Sequence, residues 1–186
     1  MTFSISPERY AQATTFHDYV ASAQKNAELW AGLYRTMQVP DEFVARAVAV
    51  PGRWHLLVLS EDWCGDAFNS VPSVAKLVEC VPTLDLRILA RDQNPDIMDA
   101  HLTNGTRSIP VVMLLDEQFQ EQGWWGPRPS ALQRWMLEEG LQLPKDERNK
   151  LKRQWYARDR GRTLLDEIVS MLERAGARGA VPAGQG

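Results

Sequence analysis

Trp54-His55-Leu56-Leu57-Val58-Leu59 runs directly into Ser60-Glu61-Asp62-Trp63-Cys64-Gly65-Asp66-Ala67, and this stretch decides the fold. A short apolar run without alternation suits a strand covered on both faces, in the core of a parallel or mixed sheet. Residues 65–80 then carry Phe68, Val71, Val74, Ala75 and Val78 at helical spacing. A cysteine therefore stands where a buried strand turns into a helix. Pro72 lies inside that helix and is expected to kink it.

Downstream, Leu84 to Leu89 alternates as a second strand, and Asn94 to Leu102 suits a short helix capped by Asn94, with Pro95 at its first position. Val111 to Leu115 is a third strand of the buried kind. Phe119 to Trp125 is a fourth, joined to it by a tight turn at Asp116-Glu117. Pro129 and Ser130 open a helix to about Glu139, with Gly140 as its stop. Upstream, Phe16, Val20, Ala23, Ala27, Trp30, Tyr34 and Met37 mark one helical face over residues 14–37, ended by Pro40. Asp41 caps a short helix holding Phe43, Val44 and Val48.

At the far end, Pro144 to about Asp159 and a segment capped by Thr163 give two more helices. The order β-α-β-α-β-β-α, with helices added at both ends, predicts an α/β sandwich around a mixed sheet. We expect a single domain over 1–175, with a core at about 52–140 and helical extensions at 14–48 and 144–174. Residues 176–186 are expected to form a disordered tail.

Bulk properties narrow the function. A length of 186 residues at 44 % hydrophobic content supports a sizeable core. Lys and Arg number 21 against 24 Asp and Glu, a net charge of -3, which gives no global drive toward nucleic acid or an anionic membrane. No apolar run reaches the ~18 residues a membrane span needs, and Met1 to Tyr10 lacks the pattern of a secretory signal. Two cysteines make no disulfide framework, so a reducing cytoplasm is the expected compartment, with the thiols free.

The basic run from Lys145 to Arg162 is interrupted by Asp146, Glu147 and Asp159, and it reads as a solvated helix face. His17, His55 and His101 lie on separate elements without ligand spacing, so no metal site is expected.

The chemistry centres on Cys64. A thiolate is the reactive form of cysteine. At a helix start it meets unpaired backbone amides and the positive end of the dipole, which should lower its pKa from roughly 8.5. Asp62 and Asp66 flank the sulfur and oppose that effect. Ala67 stands where a Cys-x-x-Cys pair would hold its second thiol. Cys80, 16 residues on, is ~24 Å away along a helix, beyond the ~7 Å Cα separation a disulfide allows. It is expected to be a small buried residue.

Ser60 to Asp66 after a buried strand resembles the active-site turn of the thioredoxin family. Pro72, eight residues past Cys64, matches the proline of that family's active-site helix. Ile109-Pro110 matches its cis-proline before the third strand, and Gly126 its glycine after the fourth. The resemblance covers about residues 52–140. The added helices and the paired Trp124-Trp125 are more similar to a bacterial group of thioredoxin-like proteins.

The resemblance implies a thioredoxin-like fold with Cys64 as nucleophile. It implies that Trp63, Gly65, Asp66 and Ala67 line a substrate groove on one side. Ile109, Pro110, Trp125 and Gly126 line it on the other. A cis Pro110 would leave the Ile109 backbone to pair with an extended peptide. Trp124 and Trp125 serve either as a groove wall or as packing for the added helices.

Two departures matter. Val58 replaces the family's buried acid, and Ala67 removes the resolving thiol. Cys64 could then act only as a monothiol, with an external thiol such as glutathione as co-substrate and no other cofactor. Its partner would be a protein or peptide thiol or disulfide, or a low-molecular-weight thiol. The alternative is a binding module that holds a peptide or protein in the Cys64/Pro110 groove without chemistry.

Overall fold

The computed structural model describes residues 3–179. Its first part comprises α1 (Pro7–Gln12), α2 (Phe16–Ser22), α3 (Ala27–Thr36), α4 (Asp41–Val48), β1 (Trp54–Ser60), α5 (Gly65–Cys80), β2 (Leu84–Ala90) and α6 (Pro95–Ala100). It continues with β3 (Val111–Leu115), β4 (Glu121–Trp125), α7 (Ser130–Glu138), α8 (Lys145–Asp159) and α9 (Arg162–Gly179). The strands form one mixed sheet in the order β2-β1-β3-β4. β1 runs parallel to β2, with Val58 beside Ile88, and antiparallel to β3, with Val58 beside Val112. Its central place explains the unbroken apolar run: Leu56, Leu57, Val58 and Leu59 are all buried. β2 has one neighbouring strand and alternates, burying Leu84, Leu86 and Ile88.

The helices α3, α4 and α9 pack around α5, and α9 also covers β4. Both sheet edges are covered by the chain's beginning. The Glu121 amide donates to the Phe3 carbonyl at 2.9 Å and the Ile5 amide to Phe119 at 3.1 Å. On the opposite edge Thr14 and Ile88 exchange bonds of 2.9 and 2.8 Å. These contacts satisfy backbone groups that an open edge would expose.

Several expectations need correction. The single helix over 14–37 is two. The apolar spacing continues across a break at residues 23–26, where Asn26 adopts φ 57. The break is held open because the Asp62 carboxylate accepts from the Gln24 and Lys25 amides at 2.7 and 2.9 Å. Helix α1 was not foreseen. Pro40, not Asp41, occupies the cap position of α4. Strand β4 starts at Glu121 rather than Phe119, because Asp116 accepts from the Gln118 and Gln120 amides, both at 2.9 Å, and shapes a wider turn.

Thr163 lies inside α9, and its amide donates to Asp159 at 3.2 Å. Helix α9 runs on to Gly179, past the expected start of the tail at 176. A Cβ on Gly176 would come within 2.5 Å of Val50 Cγ1, so α9 is tightly seated there. The remainder of the expected tail, 180–186, lies outside the described residues. Cys80, expected to be buried, is exposed, because α5 ends there at the surface.

Candidate thiol site

Cys64 is the cap residue of α5, with extended backbone (φ -81, ψ 115), and the Phe68 amide donates to its carbonyl at 3.1 Å. Its side chain is only 8 % exposed, and the S–H donates to the Ile109 carbonyl at 3.5 Å. The Ile109–Pro110 peptide bond is cis, and Ile109 is buried. Cys64 and the Ile109-Pro110 loop thus meet across the turn. The Ile109 carbonyl, expected to stand free, is occupied by the thiol itself.

The expectation of a lowered thiol pKa is overturned. Burial pushes the Cys64 thiol up. The Ala67 amide pulls it back, the Asp66 carboxylate adds to the rise, and the Asp66 amide and the Lys152 charge oppose it. The net direction is upward because desolvation of a thiolate exceeds what two amides return. The helix-start donors are present as foreseen, but the burial was not visible in the sequence.

Gly126 completes this side of the site. Its φ is 142, and a Cβ there would lie 2.1 Å from the Pro110 carbonyl oxygen, so only glycine fits. The following Gly126–Pro127 bond is also cis. Trp63 is 44 % exposed, with the Arg91 guanidinium 5.0 Å from its ring centroid. Gly65 and Ala67 form the first turn of α5, and Ala67 is fully buried. Val58 is buried in β1, so that strand carries no acid beneath the turn. Trp125 is tied to α9 instead of to the sulfur: its indole N–H donates to Glu167 Oε2 at 2.6 Å. It faces a cleft of about 820 Å³ that Gly126, Arg128, Leu137 and Met171 also line and that Cys64 does not reach.

The two acids beside Cys64 have unlike surroundings. Asp62 faces the amino-terminal extension: besides the Gln24 and Lys25 amides on its carboxylate, its carbonyl accepts from Trp30 Nε1 at 3.0 Å. Asp66 is buried and faces the carboxy-terminal extension. Its Oδ2 lies 2.7 Å from Arg128 Nη2, its Oδ1 3.0 Å from Lys152 Nζ, and the Tyr156 hydroxyl donates to Oδ1 at 3.1 Å. Burial and the Asp66 charge push the Tyr156 phenol well up, so it stays protonated and donating.

Arg128, Lys152 and Tyr156 were not foreseen at the site. The basic run of α8 reads as a solvated face, yet Lys152 and Tyr156, four residues apart, share one helix face and turn it inward. That spacing beside an otherwise unexplained Asp66 was the available signal.

A family profile described as Thioredoxin matches residues 13–167. Among curated proteins none matches. Among solved structures, a protein of unknown function from Pseudomonas aeruginosa is similar over 92 % of this chain and 99 % of its own, at 20 % identity and a TM-score of 0.72. An HIV epitope scaffold is similar over 88 % of this chain and 94 % of its own, at 19 % identity and a TM-score of 0.68. At these identities the structural likenesses bear on the fold alone. The family match spans the mixed sheet, the turn at Cys64 and most of both extensions.

Proposed function

The chain belongs to the thioredoxin family, and from that premise we propose that it is a monothiol thiol-disulfide exchange protein with Cys64 as its nucleophile. One observation carries this reading: the Cys64 sulfur sits at the start of α5, facing the Ala67 amide and the loop of cis Pro110. In the exchange, the Cys64 thiolate attacks one sulfur of a disulfide R–S–S–R′. A Cys64–S–S–R bond forms, the S–S bond breaks, and R′S⁻ leaves with the electron pair. Ala67 cannot resolve this mixed disulfide. An external thiolate such as that of glutathione attacks the R sulfur, regenerates the Cys64 thiolate and leaves as the mixed disulfide of R. Such a cycle needs a thiol-rich, reducing compartment. It also needs the substrate to displace Cys64 from the Ile109 carbonyl, because the resting sulfur is a buried thiol.

That burial favours a second reading, in which the groove holds a peptide or protein partner without chemistry. Treatment of the folded Cys80→Ser protein with glutathione disulfide separates the two. We expect mass spectrometry to find a mixed disulfide on Cys64 that reduced glutathione removes. Absence of any adduct while the protein stays folded leaves only the binding module.

A further inference from the structure

We propose that helix α8 is part of the thiol site, with Lys152 as a positioning residue: held on the buried Asp66 carboxylate beside Arg128 and Tyr156, it supplies the positive charge against which the Cys64 thiolate forms. The inference deepens the monothiol reading and rests on it. Asp66 is one residue inside the helix that Cys64 caps, and its carboxylate is engaged from two directions. Arg128 arrives from the segment after β4, at 2.7 Å, and Lys152 from α8, at 3.0 and 3.1 Å. The side chains of Asp66, Arg128 and Lys152 are 6, 18 and 17 % exposed, so solvent screens them weakly.

Two positive charges thus face one negative charge, and the cluster carries a surplus cation under the first turn of α5. At Cys64 the nearer Asp66 charge disfavours the thiolate more than the Lys152 charge favours it, so Lys152 acts by offsetting the acid it holds. With Val58 in place of an acid in β1, no carboxylate of that strand adds to the Asp66 repulsion. Other titratable groups around the turn are Tyr19, which feels Cys64, Glu61 and Asp62, and Arg91, which lies over Trp63. The Asp62 carboxylate is already occupied by the Gln24 and Lys25 amides.

The test is the pH profile of Cys64 alkylation in the full chain, in a Cys80→Ser background, with circular dichroism confirming the fold. Lys152→Met should move the midpoint up, the direction expected on losing a nearby positive charge. Lys152→Arg should restore it. Asp66→Asn, if folded, should move it down. A midpoint unchanged in folded Lys152→Met overturns the proposal, because a purely structural role for Lys152 would not touch the titration. Failure of the redox reading looks different: the midpoints move as expected, yet glutathione disulfide leaves no adduct on Cys64.

Discussion

Asp62 and Asp66 stand two residues to either side of the same sulfur, and the molecule treats them in opposite ways. Asp62 is gripped by neutral backbone amides of an outer loop, partly in water. Asp66 is sealed in and gripped by two cations and a phenol. A carboxylate on amides at the surface anchors a chain segment and contributes little beyond that. One locked among charges fixes both geometry and local potential, and removing it strands the cations. The extensions therefore make different contacts: the first is tethered by Asp62, and the second, together with Arg128, encloses Asp66.

The sharpest way to break this contrast is Asp66→Ala. With Arg128 and Lys152 left in a poorly solvated place without their acid, we expect a loss of about 3–5 kcal/mol in denaturant unfolding. An equal loss from Asp62→Ala would erase the distinction. Tyr156→Phe keeps the ring and removes one donor to Asp66, for about 1–2 kcal/mol by the same measurement. Asp62→Ala should cost about 0.5–1 kcal/mol and should show itself as faster proteolytic cleavage within residues 23–26, with the Cys64 alkylation profile unmoved.

A buried pair remote from both acids gives the smallest effect and an internal control. His101 lies 2.8 Å from Glu121 Oε2 and 2.6 Å from the Ile97 carbonyl. Burial opposes its charge, but the Glu121 carboxylate and the Ile97 carbonyl outweigh that, and its pKa is raised. A raised histidine pKa adds stability that is fully present below the unfolded value of roughly 6.5 and is lost as pH rises through the folded value. Thermal unfolding should follow that sign, and His101→Gln should flatten the slope without changing the Asp62 and Asp66 comparison.

Much of this was legible in the sequence because it rests on local pattern. The unbroken Leu56 to Leu59 run marks a strand covered on both faces, the alternation at Leu84, Leu86 and Ile88 a second strand, and the spacing through Val71, Val74 and Ala75 a helix. Ile109-Pro110 stands beside Cys64 where the resemblance implied. What the sequence hid was long-range. No local pattern says that Lys152, 86 residues on, closes over Asp66. The break at residues 23–26 was invisible for the same reason, since its cause is the Asp62 carboxylate. The thiol's burial, which turns the expected lowering of its pKa into a rise, depends on how the Ile109 loop and the helices converge on it.

The residues before α2 hold only one short helix, α1. Yet Phe3 and Ile5 pair beside β4, and Thr14 pairs with Ile88 in β2. Deleting the first fourteen residues would remove two backbone hydrogen bonds from each margin of the sheet and leave those groups open to neighbouring molecules. We expect a shortened version to keep the Cys64 turn yet self-associate through the opened edges, which size-exclusion chromatography would show as larger species.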